Sequence, residues 1–411
     1  MNDSLAPLRP IDAAPVEHEG STFIVLRDTS GYVSEQLLLT PAAFFIASLF
    51  DGRRTIADIQ LAFGRQFNGV HVSESQVQEV ADYLDDHGFL LNRQFEAIRQ
   101  RIDGDFASSD TRPAWLAGRS YPAESEALRA MIDGFFTDES GPGAVPRSAS
   151  GSHLPGLIVP HIDFHRGHAG YAHGYGKLFA REKPDVVFVF GVAHAGAPVP
   201  FILTRKHFET PFGTLETDQG MVSRLVDACA WDPFAWEGRH RTEHSIEFQA
   251  VMLAYRYGPD VKIVPILCAS LCENYEDDFP GDNPATARFL DVCRAIAAEP
   301  GRKVTAIAGA DLAHVGKCFG DSFEIDDTVV QAVADRDHED LAHITGSAVD
   351  AEGFYKSVMR DGNERKVCGL GCIYATLKTL EGAVGPGTMH HYDYAHDPSG
   401  GIVSFASVTL E

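Results

Sequence analysis

From Leu157 onward, short apolar runs alternate with longer amphipathic stretches. Leu157-Ile158-Val159, Val186 to Phe190 and Val304 to Ala308 are β-branched or aromatic and are stopped by Gly or Pro, which predicts buried strands. Further strands are predicted at Phe201–Thr204, Val261–Leu267 and Gly401–Leu410. Strand–helix alternation of this kind predicts an α/β domain. It begins near Arg112 (residues 112–411), with a helix over Ser125–Phe136 and a Gly/Ser/Pro-rich surface loop over Thr137–Gly156.

The pattern ahead of Arg112 differs. Residues 1–20 read as a flexible tail, residues 21–101 as a small, mostly helical unit, and Asp103 to Thr111 as a linker. Ser21–Leu26 and Tyr32–Ser34 predict a short β element. Thr40-Pro41 opens a helix, with Thr at the N-cap and Pro at the first helical position. Asp51-Gly52 makes a turn, Thr55 starts a second helix through Phe63, and Ser73 starts a third. Val77, Val80, Ala81 and Leu84 of this third helix fall at helical spacing. The arrangement predicts a helix-turn-helix or winged-helix-like module closing on Gly88-Phe89-Leu90-Leu91.

A chain of 411 residues exceeds the size at which one core stops growing. With 58 acidic and 34 basic residues its formal charge is -24, which repels nucleic acid and anionic membrane surfaces. No run is long and apolar enough to span a bilayer. Met1 to Glu19 lacks a basic start followed by an apolar core, so a cytoplasmic location is expected. Seven cysteines in the second half of a large chain do not make a disulfide framework. Cys268 and Cys272, and Cys368 and Cys372, have CxxxC spacing; without a CxxC pair a structural zinc ribbon is not expected.

The chemistry gathers at strand ends. His161, His194 and His314 each follow one of the three predicted central strands, and in an open α/β sheet ligands bind outside the carboxyl ends of the strands. Each imidazole taken alone reads as a strand cap or a partner of a backbone carbonyl; three in the same position point to a shared site, as metal ligands or general bases. Near His161, Asp163, His165 and His168 raise the local density of polar groups, the two histidines reading as loop residues. Gly167 and Gly170 would let the backbone approach a ligand. Asp311 and His314, three apart, would share a face if the turn is helical, the carboxylate orienting the imidazole, or Asp311 would cap a helix. Thr242–Phe248 opens an amphipathic helix in which Glu243 and His244 line the cleft and Glu247 supports it. Cys368 precedes a helix from about Gly371 to Leu380, where a lowered thiol pKa is expected; Cys372 reads as buried and inert.

"AGRSYP", "VPHIDFHRGHAGY", "FGVAHAG", "TPFGTLETD", "EHSIEFQ", "GADLAHVG" and "VCGLGCI", in this order over about residues 112–411, resemble the Memo family, the AmmeMemoRadiSam system protein B group. The match is nearest its bacterial branch, where "PHID" replaces "PHAG", and "VAHAG" carries one His where many members have two. The resemblance implies a class III extradiol dioxygenase-like fold. It implies His161, His194 and Cys368 as metal ligands and Asp311 with His314 as an acid–base pair. Two imidazoles and a thiolate make a softer site than two histidines and a carboxylate, favouring copper or redox iron over catechol cleavage, with hydrolytic zinc a further option. It also implies a radical S-adenosylmethionine enzyme and a further protein as partners. "DGRRTIADI" and "LDDHGFL" resemble PqqD-like peptide-recognition modules. The expectation is a mononuclear iron or copper protein doing O₂-dependent redox chemistry on a small molecule or peptide entering over Glu243 and His244. The alternative is a non-catalytic peptide- or protein-binding module using the same cleft and residues 21–101.

Overall fold

The computed structural model describes residues 4–18, 20–271 and 279–411, in two compact units, Met1–Ser108 and Ser109–Glu411. The first holds strands β1 (Asp12–His18), β2 (Ser21–Arg27) and β3 (Leu37–Leu39). Four helices follow: α1 (Pro41–Ser48), α2 (Ile56–Gln66), α3 (Glu74–Asp86) and α4 (Arg93–Ser108). Thr40, Thr55 and Ser73 cap the first three of these, and the latter two do so in reciprocal capping boxes. Ile59, Phe63, Val77, Ala81, Leu84 and Phe89 form the core beneath them. Two expectations are corrected. Residues 12–18 are not a tail: they pair antiparallel with β2 from Asp12↔Arg27 to His18↔Ser21. Residues 103–108 are not linker but the last turns of α4, which buries Phe106.

The second unit begins with β4 (Thr111–Arg112) and α5 (Ser125–Thr137), followed by β5 (Gly156–Val159), α6 (Phe164–Phe179), β6 (Val186–Val192) and β7 (Phe201–Leu203). Next come β8 (His207–Thr210), β9 (Gly213–Leu215), α7 (Gln219–Ala228), α8 (His244–Tyr257), β10 (Lys262–Cys268) and α9 (Pro284–Ala297). The chain ends with β11 (Val304–Gly309), β12 (His314–Gly316), α10 (Asp327–Thr345), α11 (Ala351–Met359), α12 (Leu370–Thr379), β13 (Thr388–Asp397) and β14 (Gly401–Leu410). The main sheet runs β12-β14-β5-β11-β6-β10-β7, with β13 also on β14. Strands β5, β11, β6 and β10 are mutually parallel, so their carboxyl ends share one edge.

Strand alternation sorts the apolar side chains into two layers. Val187, Val189 and Ile307 join Leu128, Tyr171 and Met252 on the α5–α6–α8 side. Phe188, Phe190, Ala306 and Ala308 join Phe289, Ile373 and Leu377 on the other. Both faces are covered, as a parallel sheet requires. Among the described residues no helix is long and apolar enough to cross a membrane.

Helix α6 rides unusually close to the sheet. A Cβ at Gly174 would lie 2.3 Å from Val159 Cγ1, one at Gly167 2.3 Å from Ile162 Cγ2, and one at Gly170 2.9 Å from Pro160 Cγ. Gly170 and Gly174 therefore serve helix–strand contact and Gly167 the packing of the turn ahead of α6; protein fills the space in place of the ligand approach expected at Gly167 and Gly170. His165 and His168 lie on this helix, not in a loop. Gly174→Ala should cost about 1–3 kcal/mol, because buried Val159 has no room to give. A lowered urea midpoint at constant slope is the expected result, and an unchanged midpoint would contradict the packing argument.

Candidate metal centre

The shared strand edge carries the site. His161 follows β5, His194 follows β6 and Asp311 follows β11, so three adjacent parallel strands deliver them side by side. Cys368 comes from the opposite layer, just before the Gly369 cap of α12. One donor atom from each of His161, His194 and Cys368 lies within 4.8 Å of the other two. Cys368 Sγ is 3.2 Å from His161 Nε2. Ligands on one first-row ion, with bonds of about 2.0–2.3 Å, stand roughly 3–4 Å apart, so the three donors need only small adjustments to hold one.

Both imidazoles have their outer nitrogens engaged. His161 Nδ1 donates to the Gly309 carbonyl at 2.8 Å. His194 Nδ1 lies 2.9 Å from Glu243 Oε1. The outer partner sets the tautomer, leaving each Nε2 lone pair free for a ligand. Burial pushes His161 down to about 3, with His194 adding to the effect, so it is neutral at pH 7. In His194 burial works the same way, but the Glu243 carboxylate outweighs it and raises the pKa. Burial opposes ionisation of Glu243, yet the His194 hydrogen bond and the charges of His244 and His194 hold it well below the usual carboxylate range.

Glu243 does three jobs. Its side chain caps α8 by accepting from Ser245 N at 3.0 Å, receives His194 N at 3.1 Å, and meets the His194 ring. His244, the first residue of α8, stacks on His194 at 4.5 Å between centroids and meets His161 edge-on at 5.3 Å. Burial lowers its pKa to about 4. His194, Glu243 and His244 form a second close group. His161 is buried, Cys368 half-buried and His194 exposed, so the centre opens to solvent past His194.

The helical setting expected for Asp311 and His314 is corrected. The segment is not helical and leads into β12, so neither a shared helical face nor a helix N-cap exists there. Asp311 Oδ1 instead accepts the backbone N–H groups of His161 and Ile162 at 2.8 and 3.0 Å, and Oδ2 lies 3.5 Å from His161 Nε2. His314 Nδ1 meets the Leu312 carbonyl at 3.1 Å. Asp311 thus positions the loop that carries His161, while its charge still acts on His314. The expected acidity of Cys368 is also corrected: burial, with Asp311 and Glu243 nearby, pushes the thiol well up. Cys372 is fully buried, and Cys272 lies outside the described residues.

Glu247 points away from the cleft. It is buried against Arg112 and Tyr121, and also accepts Leu116 N at 2.8 Å. Arg112 Nη2 in turn donates to the Glu243 carbonyl at 2.9 Å, fixing the start of α8. Two supports escape a reading of sequence alone. Gln249 is fully buried and bonds Pro160 O at 3.0 Å, steadying the residue before His161. Ser404 Oγ accepts Ala313 N at 3.0 Å from across the sheet. A glutamine inside the apolar run of α8 was a usable signal for the first; nothing local marks the second.

A family model described as Memo-like protein matches residues 112–409. A MEMO1 family protein of Aquifex aeolicus is 26% identical over 393 residues, covering 95% of this chain and 96% of its own. One of Methanopyrus kandleri is 29% identical over 303 residues, covering 72% of this chain and 97% of its own. An uncharacterized protein of Escherichia coli K12, solved by crystallography, gives a TM-score of 0.37 at 14% identity over 63% of this chain and all of its own, too slight a likeness to argue from. With the family model spanning nearly all of the unit that bears the strand-end site, the chain belongs to the Memo-like family.

Proposed function

We propose that His161, His194 and Cys368 hold a single iron or copper ion for O₂-dependent redox chemistry on a small molecule or peptide. The frame would be that of the class III extradiol dioxygenases, in a cytoplasmic protein working with a radical S-adenosylmethionine enzyme and its partner protein. One observation carries the reading: one nitrogen from each of two imidazoles and one sulfur, brought from the ends of β5 and β6 and the start of α12, converge within 4.8 Å. When bound, the ion supplies the electron transfer that imidazole and thiol side chains do not. Soft sulfur beside nitrogen suits copper or iron; redox-silent zinc would turn the reading toward hydrolysis.

The chain's own residues have distinct tasks. Asp311 clamps the backbone at His161 and Ile162. Glu243 orients His194. His244, neutral at pH 7, stands beside the exposed edge of the centre as a proton acceptor for a substrate entering over Glu243 and His244. His314, whose pKa burial also lowers, is a second acceptor.

The test is metal content after anaerobic purification. Wild type should carry a single ion, and His161→Ala, His194→Ala and Cys368→Ser should each fall to roughly a tenth of that occupancy. Unchanged stoichiometry in all three ends the metal reading. A second reading, a peptide-binding module using the cleft and a winged-helix-like, PqqD-like N-terminal unit, draws its support from the separate compact unit Met1–Ser108. Partner capture by the full chain but not by residues 109–411, with no bound metal, would support it over chemistry.

A further inference from the structure

Beside Cys368 lies a cavity of about 500 Å³, within the size range of small-molecule sites. Val192 at the end of β6, Leu271 after β10, Met359 at the end of α11 and Leu370 opening α12 give it largely apolar walls. Among the described residues that line it, the one charged side chain is Lys366. In a chain of net charge -24, a cation on an otherwise uncharged wall is a selective feature, even with the Asp321 carboxylate behind it.

The backbone holds Lys366 there against its own preference. Only three non-glycine residues among those described have positive φ, and two of them, Asn363 (57°) and Lys366 (54°), line this cavity. Such conformations cost free energy and collect at functional sites. The Asn363 side chain closes the turn, accepting from Val367 N at 2.8 Å and donating to Val367 O at 3.3 Å. Lys366 Nζ donates to Asp321 Oδ1 at 2.8 Å and to the Glu364 carbonyl at 3.2 Å. An ammonium has three hydrogens, so one remains for a ligand. Asp321 is itself held by Gly316 N at 2.8 Å.

We infer that this cavity binds a small carboxylate with an aryl or branched alkyl body. The carboxylate sits on Lys366 and the body lies against Leu271, Met359 and Leu370, beside Cys368. Identifying that ligand as the substrate rests on the metal reading above; its binding does not.

The test is calorimetric titration of the full chain with 3-phenylpropionate, 3-phenylpropionamide and 3-phenylpropylamine, with metal content measured on the same preparations. The acid should bind roughly tenfold more tightly than the amide, and the amine most weakly. Lys366→Gln should bring the acid down to the amide. Asp321→Asn, which frees Lys366 from a competing carboxylate, should tighten the acid about threefold and leave the amide unchanged. Met359→Trp should abolish binding of all three. No binding in wild type, equal binding of acid and amide, or an acid preference that survives Lys366→Gln overturns the inference. So does undiminished binding by Met359→Trp that melts like wild type. If His161→Ala loses both its ion and the acid preference, the ion holds the carboxylate, and the inference fails while the metal reading stands. If wild type carries no ion yet prefers the acid through Lys366, the metal reading fails and the inference stands.

Discussion

Arg112→Met is expected to destabilise the larger unit by about 3–5 kcal/mol, because it strands the Glu247 carboxylate in a fully buried site. The pair has no solvent to fall back on: both side chains are 0% exposed. Arg112 also serves the carbonyls of His240 and Glu243 at 3.0 and 2.9 Å, so its loss frees the start of α8, where Glu243 and His244 stand. Adding Glu247→Gln keeps an oxygen for Leu116 N while removing the stranded charge, and should recover about 1–2 kcal/mol. Trp115, Trp231 and Trp236 all lie in this unit, so tryptophan fluorescence during urea unfolding reports on it directly. A single variant as stable as wild type, or a double variant no better than the single, would show that the ion pair is not what holds this corner.

Gly369→Ala is expected to lower metal affinity at least tenfold, comparable to losing a group that orients a ligand. A Cβ there would lie 2.4 Å from Ala310 Cβ and 2.4 Å from the Asp311 carbonyl oxygen. The second contact is backbone, and that backbone also carries the carboxylate clamping His161. Either α12 or the end of β11 must retreat, and Cys368, one residue earlier, moves relative to His161. Gly371→Ala is the control: among the described residues, the nearest atoms to its Cβ would be Leu271 and Cys268 side chains at 3.3 and 3.4 Å. Chelator competition on the two variants checks this. Equal affinities, with wild-type melting of both metal-free proteins, would show that the approach of α12 to β11 does not set the site.

These two sites illustrate where local sequence information runs out. Asp311 and His314 suggest a pair by spacing, but spacing predicts contact only if the backbone is helical. Here the chain extends into β12, and hydrogen bonding sends the carboxylate 150 positions back along the chain, to His161. Cys368 sits where helix geometry favours a thiolate, yet burial beside Asp311 and Glu243 outweighs the helix end. Strand β13 has no apolar run to announce it. Its polar, half-exposed residues are held by backbone pairing to β14, which side-chain pattern does not encode.

The sequence by itself determined the local events: caps at Thr40, Thr55 and Ser73, apolar strands ending in His161 and His194, and the alternation that makes an α/β unit. Each depends on neighbours a few residues apart, and those are read directly from the chain. Only the tertiary structure decided that β5, β11 and β6 lie side by side, that Cys368 reaches across from α12, and that Gly174 and Gly369 exist for close packing. Those outcomes depend on strand order and interlayer distance. Both are fixed by burial of the whole core at once, and by no short segment of it.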